Sequence, residues 1–282
     1  MEKIGLLIDS TTHTTDEFKK YDFIKTVYLN VSIEGEDFLE NDLTKEDMEA
    51  NIERHAKMLT SQPAPGDFVE AFDEFKSEGY THVLVVVLSE KISGTFQSAL
   101  LAKKMIESDL KITVHSPNAA SFGVANGLRL LAKDIDNKLS YKEVLERYYE
   151  IFKEPLIAFT LSNLKHLFKG GRLNRVQAFI GTVLRIKPIV QMIDGKLKMV
   201  QKERTNIACQ DFFLERIDEY TNKYDNIYVD IINLNMEKWG SQLKETIAEK
   251  YPKIKLHTTN YVSPVFYVHL GNKGFGISII AY

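Results

Sequence analysis

Cysteine is almost absent from this 282-residue chain, in which Cys209 stands alone. A single thiol can form neither an internal disulfide nor a cysteine-rich zinc site, and the composition suits a reducing compartment, here the cytoplasm. Long apolar runs are missing as well. The first, Ile4 to Ile8, stops at Asp9, too short for a signal-peptide core, and no stretch approaches the ~20 apolar residues of a membrane span. Charge of one sign is not in excess, since 36 Lys and Arg against 39 Asp and Glu leave a net charge of −3. Phosphate backbones are bound by clustered cations, so no nucleic-acid partner is expected. Low-complexity runs and internal repeats are also lacking. The chain reads as soluble and globular.

Catalytic signatures are equally scarce. The glycines from Gly271 to Gly276 do not match the dinucleotide fingerprint and are followed by a strand rather than a helix. There is no Walker A sequence, no Gly-x-Ser-x-Gly elbow and no His-Glu-x-x-His or other metal-ligand cluster. No catalytic residue, metal site or cofactor is therefore assigned.

What is present is alternation. Short β-branched runs at Ile4 to Ile8, Val83 to Leu88 and Ile112 to His115 are separated by amphipathic segments, the pattern of βαβ units around a parallel sheet buried on both faces. Helices are predicted over Thr44 to Met58, Phe68 to Lys76, Ala119 to Asp136 and Tyr141 to Lys153. After Pro155 the pattern changes. Leu156 to Leu161 reads as a strand, and Ile186 to Ile193 with Lys196 to Gln201 flank Asp194-Gly195, a pair that favours a two-residue hairpin turn. Helices over Thr205 to Lys223 and Met236 to Lys250, and strands over Ile227 to Asn233 and Ile277 to Ala281, complete the chain. The expected fold is α/β with two domains: residues 1–155 around a mostly parallel sheet, and residues 156–282 around a mixed or antiparallel sheet with helices, leaving a ligand cleft between them.

Four segments could carry chemistry. Asp9-Ser10-Thr11-Thr12 follows the first strand, where open α/β sheets bind ligands, although Ser10 and Thr11 suit a plain turn and helix cap equally well. Thr60-Ser61-Gln62-Pro63-Ala64-Pro65-Gly66-Asp67-Phe68 reads as a rigid polar loop. Ser93, with Gly94 and Thr95, opens a helix after the strand Val83 to Leu88, a position able to hold a carboxylate or phosphate and equally that of an ordinary N-cap. The fourth segment is cationic: Lys165, Lys169, Arg172 and Arg175 around Gly170-Gly171, then Arg185, Lys187 and Arg204, with His269 near the end. Such a ridge is commonly just a solvated face. If His269 served Ser93 as a base, the chain would be a serine-dependent acyl hydrolase; Asp9 to Thr12 could instead serve a phosphate-handling enzyme. The basic segment alone would suit a protein-interaction module.

In order and spacing these segments resemble the DegV family, which includes the fatty-acid-binding (FakB) subunits of bacterial fatty-acid kinase. The likeness runs from Asp9-Ser10-Thr11 through the Thr60 to Phe68 loop, Ser93-Gly94-Thr95-Phe96-Gln97-Ser98-Ala99, Gly170-Gly171-Arg172-Leu173 and Ile186-Lys187-Pro188-Ile189 to Lys202-Glu203-Arg204-Thr205. The resemblance implies a long-chain fatty acid between two α/β domains. Its carboxyl end is held by Thr60 or Ser61 and by Ser93, with Arg204 and His269 nearby, in a cleft lined by Asp9, Ser10, Thr11, Gly94 and Thr95. It further implies a non-catalytic carrier that docks, through Arg172, Lys169 and Arg175, a separate kinase subunit of the dihydroxyacetone-kinase type, and that meets membranes transiently. Two departures stand out. Ile92 occupies a position that is commonly serine in the family, and Gly271-Asn272-Lys273-Gly274 replaces a Gly-Pro-Gly near the C-terminus. Tail preference is left to the packing of Phe96, Phe122, Phe159, Phe179 and Phe266.

Overall fold

A computed structural model describes residues 2–12, 18–173 and 186–282. Its first sheet is parallel, ordered β2-β1-β6-β7, with β1 Ile4–Asp9, β2 Ile24–Val27, β6 His82–Val86 and β7 Lys111–His115. Every residue of β1 and β6 is buried, as expected of strands covered by helices on both faces. A small antiparallel sheet, ordered β4-β3-β5, is made of β3 Asn30–Ile33, β4 Glu36–Leu39 and β5 Met58–Ser61. The third sheet has the order β10-β9-β8-β13-β11-β12, from β8 Leu156–Leu161, β9 Lys187–Ile193, β10 Lys196–Glu203, β11 Ile227–Leu234, β12 Lys255–Thr259 and β13 Gly274–Ala281. Only its β11–β12 pair is parallel. The hairpin joining β9 and β10 turns at Asp194 and Gly195, both with φ above zero (52° and 76°), as its Asp-Gly pair predicts.

Helices fill the spaces between sheets. On one side of the parallel sheet, α2 (Pro65–Ser77) and α3 (Thr95–Met105) bury Phe68, Phe72, Phe75, Ala99 and Ala102 against Leu7, Val83 and Val85. On its other side lies α4 (Phe122–Asp136), backed by α5 (Tyr141–Ile151). Val124 and Leu128 of α4 share one core with Leu6 and Leu84 of the parallel sheet and with Phe159 and Val190 of the mixed sheet. Beyond the mixed sheet, α7 (Asn206–Thr221) and α8 (Glu237–Lys250) close the stack over a separate core around Phe213, Ile231 and Phe275. The α4 contact with the mixed sheet includes a buried polar cluster. Asn126 donates to Asp230 of β11, Arg129 lies 3.9 Å from that carboxylate, and burial pushes Asp230 up to about 7.

Two expectations fail locally. The helix begun by the Thr44–Asp47 capping box, α1, spans only Lys45–Glu53, and Met58 already belongs to β5. Met48 is the only buried residue of α1, so little packing resists the chain leaving the helix at His55 (φ 59°) to pair with β3. Thr60 and Ser61 consequently sit on a strand rather than in a loop. The second is α9 (Pro264–Leu270), which was not foreseen. It opens with Ser263 as N-cap and Pro264 at the first position, and residues 264–269 are all buried, so no amphipathic period marks it. The short α6 (Lys165–Lys169) packs on α9, and α9 packs in turn on α1, β3 and β5, bringing a late segment of the chain onto early ones.

A polar knot fixes these early elements. Asp9 is fully buried; its Oδ2 accepts from the backbone N–H of Leu88 at 2.6 Å, and its Oδ1 accepts from the N–H and Oγ1 of Thr11 at 2.9 and 2.5 Å. Ser10 Oγ accepts from Leu29 N–H at 3.0 Å and donates to Glu40, whose Oε1 accepts from Val265 N–H of α9 at 3.0 Å. Burial raises both carboxyl groups above their ordinary range, and the donors offset only part of that rise. Replacing Asp9 with alanine strands two buried N–H groups, each costing about 1–3 kcal/mol when unpaired. Asp9→Ala is therefore expected to lower stability by about 3 kcal/mol in urea unfolding; a loss within experimental error would remove the knot from this account.

Candidate functional site

Between the parallel sheet, the small sheet and the mixed sheet lies a cavity with about 1030 Å³ of atom-free space, part of it open to solvent. Its wall is mainly aliphatic and aromatic, with Leu88, Ile157, Phe159, Met192, Val265 and Phe266 among the contributors. Ile92, one of the two departures from the family pattern, adds its side chain to this apolar wall. Of the aromatic residues named above, Phe159 and Phe266 line the cavity and Phe96 and Phe122 do not, while Phe179 lies outside the described residues.

Polar side chains gather at one part of the wall. Thr60 projects from β5, and its Oγ1 shares a 2.9 Å hydrogen bond with Nε2 of His269 near the end of α9. The other ring nitrogen, Nδ1, is buried without a partner among the described residues and faces Gly170, where a Cβ would overlap it. Gly171, with φ at 70°, then reverses the chain. The turn delivers Arg172, whose Nε donates to the carbonyl of Ile92 at 3.2 Å and whose Nη1 donates to the carbonyl of Gly170 at 2.5 Å. A guanidinium is thereby held beside Ser93. Burial, aided by the Arg172 and His166 charges, depresses His269 to about 4, so its imidazole is neutral near neutral pH.

Ser93 is one residue before the N-cap position, which Gly94 occupies; its Oγ bonds Thr95 Oγ1 at 2.9 Å and accepts from Thr95 N–H at 3.3 Å. A Cβ on Gly94 would overlap Gln62, so glycine lets Gln62 close over this loop and reach the cavity. Ser61 is exposed at the rim.

Several expected positions fall elsewhere. Asp9, Ser10 and Thr11 do not line the cavity, because the knot consumes their polar atoms; Gly94 and Thr95 are likewise off the wall. Arg204 is exposed on the bend between β10 and α7, and the cavity's guanidinium is that of Arg172, expected instead at a docking surface. Lys169 is exposed and borders an outer groove with Lys165, His166 and Lys273. Arg175 and Arg185 lie outside the described residues. Two further polar residues line the cavity. Gln62 belongs to the rigid polar loop already singled out, and Ser121 has no local sequence signal. Ser93 and His269 are not paired, since each hydrogen-bonds a threonine.

The neutral state of His269 has a thermodynamic signature. Below its ordinary value of 6.5 the unfolded chain takes up a proton that the folded protein refuses, so stability drops as pH falls from about 6.5 toward about 4. In lipid-free protein, His269→Gln is expected to flatten that part of the stability–pH curve relative to wild type. An identical acid slope in both proteins would show that His269 is not held neutral.

The family model described as "Uncharacterised protein, DegV family" matches residues 3–282. A DegV domain-containing protein of Listeria innocua is 32% identical over 293 residues, covering 98% of each chain. Among solved structures, DegV of Bacillus subtilis, described as a fatty acid binding protein, superposes with a TM-score of 0.88 at 27% identity, covering 100% of both chains. The fatty acid kinase B3 protein of Streptococcus pneumoniae, solved with linoleic acid, shares the fold with a TM-score of 0.84 at 23% identity, again over 100% of both chains. The chain belongs to the DegV family.

Proposed function

We propose that this protein holds one long-chain fatty acid in the cavity, its carboxylate at Thr60, Ser93, Arg172 and His269, and presents that carboxylate to a separate cytoplasmic kinase subunit. The observation that carries this reading is the one-sided distribution of polarity: an apolar chamber with an arginine, hydroxyls and an imidazole grouped on part of its wall. A fatty acid has the same distribution. The B. subtilis relative, described as fatty-acid-binding, supports the ligand class. The kinase step draws on the S. pneumoniae neighbour's description as a fatty acid kinase B3 protein, and on the cationic groove that shares Leu270 with the cavity. Phosphate transfer would take place in the kinase, with this chain as carrier and no cofactor of its own.

Magnitudes divide the labour. Burying a chain of roughly sixteen carbons gains on the order of 10 kcal/mol at ~0.8 kcal/mol per methylene, against association costs of about 4–15 kcal/mol. The tail therefore supplies most of the affinity. A buried carboxylate costs several kcal/mol unless paired, which is the work of Arg172 and the hydroxyls. A hydrolase reading has less support, because Nε2 of His269 is engaged by Thr60, and among the described residues Ser93 Oγ hydrogen-bonds Thr95 rather than a base.

Native mass spectrometry of the purified protein, with lipid extraction, is expected to find one long-chain acid per chain. Arg172→Ala should weaken binding about tenfold or more, the effect of losing a charge-assisted hydrogen bond, and Ser93→Ala by less. Protein that neither carries nor takes up any fatty acid would refute the assignment.

A further inference from the structure

Among the polar residues of the cavity wall outside the carboxylate set, Ser121 alone has a buried side-chain oxygen with no hydrogen-bond partner among the described residues. It lies in the link between β7 and α4, with only 9% of its surface exposed. It occupies the N-cap position of the 15-residue α4, yet its side chain makes no capping bond. The first-turn N–H groups of Gly123 and Val124 are taken instead by the carbonyls of Ala120 and Ser121. The hydroxyl is thus free of the usual N-cap duty and sits at the positive end of the helix dipole.

Its backbone is unusual too. Ser121 has φ 53° and ψ −130°, a conformation that glycine adopts without strain and that costs a residue bearing a Cβ. Relative to glycine, serine here adds strain and one hydroxyl. Among the described residues that hydroxyl gains nothing, because a buried unpaired hydroxyl is itself unfavourable. A ligand atom is the partner that would offset both costs. The neighbouring wall is apolar, with Ala120 and Ile157 beside the start of α4. The carboxylate group is built from β5, the loop after β6, the Gly170–Arg172 turn and α9, and no hydrogen bond joins Ser121 to it.

We propose that Ser121 is a second polar contact for the ligand, one that takes an oxygen atom carried on the acyl chain away from the carboxylate, so that the cavity accepts hydroxy or oxo fatty acids. This inference rests on the fatty-acid reading of the cavity. A plain aliphatic pocket tolerates an added hydroxyl without favouring it; a pocket with one unpaired donor favours it at one position along the chain.

The test is a binding series on the delipidated full-length protein, using stearic acid and monohydroxystearic acids that differ only in hydroxyl position. Wild type is compared with Ser121→Ala and Ser121→Gly, the latter keeping a backbone suited to positive φ. The expected result is one positional isomer whose affinity, relative to stearic acid, drops about fivefold in both variants, the effect of one neutral hydrogen bond. A ratio to stearic acid that does not change for any isomer overturns the proposal. If the variants then weaken every acid equally, Ser121 serves the carboxylate, and if they weaken none, it serves only the turn. Wild-type protein that takes up no stearic acid removes the fatty-acid reading itself, a failure distinct from an unchanged ratio.

Discussion

The demand of two buried carboxylates for hydrogen-bond donors sets the position of the cavity wall. Asp9 binds the end of β1 to the backbone after β6 through Leu88 N–H, and Glu40 joins Ser10 to the first turn of α9 through Val265 N–H. Such groups are costly to bury alone and rigid once satisfied. Because α9 carries Val265, Phe266, His269 and Leu270 into the cavity, the same bonds that secure the parallel sheet also set where the imidazole stands. Asp9-Ser10-Thr11 is accordingly structural where a position past a parallel strand suggested a ligand contact.

The polar part of the cavity is assembled from segments far apart in sequence, and each contributes through backbone geometry. Gly94 admits Gln62, Gly170 admits the His269 ring, and Gly171 turns Arg172 back onto the Ile92 carbonyl. The outcome is a cation, hydroxyls and a neutral imidazole around a space whose remaining wall is apolar. A neutral His269 can hydrogen-bond a carboxylate or Thr60 without adding a second buried charge next to Arg172.

Legibility in the sequence followed burial and periodicity. Strands β1, β6, β7, β8 and β11 were readable because they are apolar runs bounded by turn residues, and the β9–β10 hairpin because Asp194-Gly195 dictates its turn. β2 to β5 were not, since strands of four residues with mixed exposure carry no alternation long enough to see. Helix α9 was hidden for the opposite reason: a segment buried on all sides has no amphipathic period. Of the site, Ser93 is marked by its place at a helix start after a strand and Thr60 by its rigid polar loop, the resemblance assigns both and His269 to the carboxyl end, and all three line the cavity. Arg172 was recognised but placed on a docking surface, because only the turn at Gly171 aims it inward. Arg204, which the resemblance places near the carboxyl end, is exposed on the bend after β10. Ser121 was invisible, since its distinguishing features are a dihedral angle and a missing partner.

The central claim is that the carboxylate of a bound fatty acid is held at the Arg172 end of this cavity. A crystal structure of the protein saturated with a long-chain acid tests it most directly. The account predicts carboxylate oxygens within hydrogen-bond distance of Ser93 and of at least one of Thr60, His269 and Arg172, with the chain running along Phe159 and Phe266. A carboxylate at Arg204, or an acid bound outside a cavity that stays empty, would contradict it.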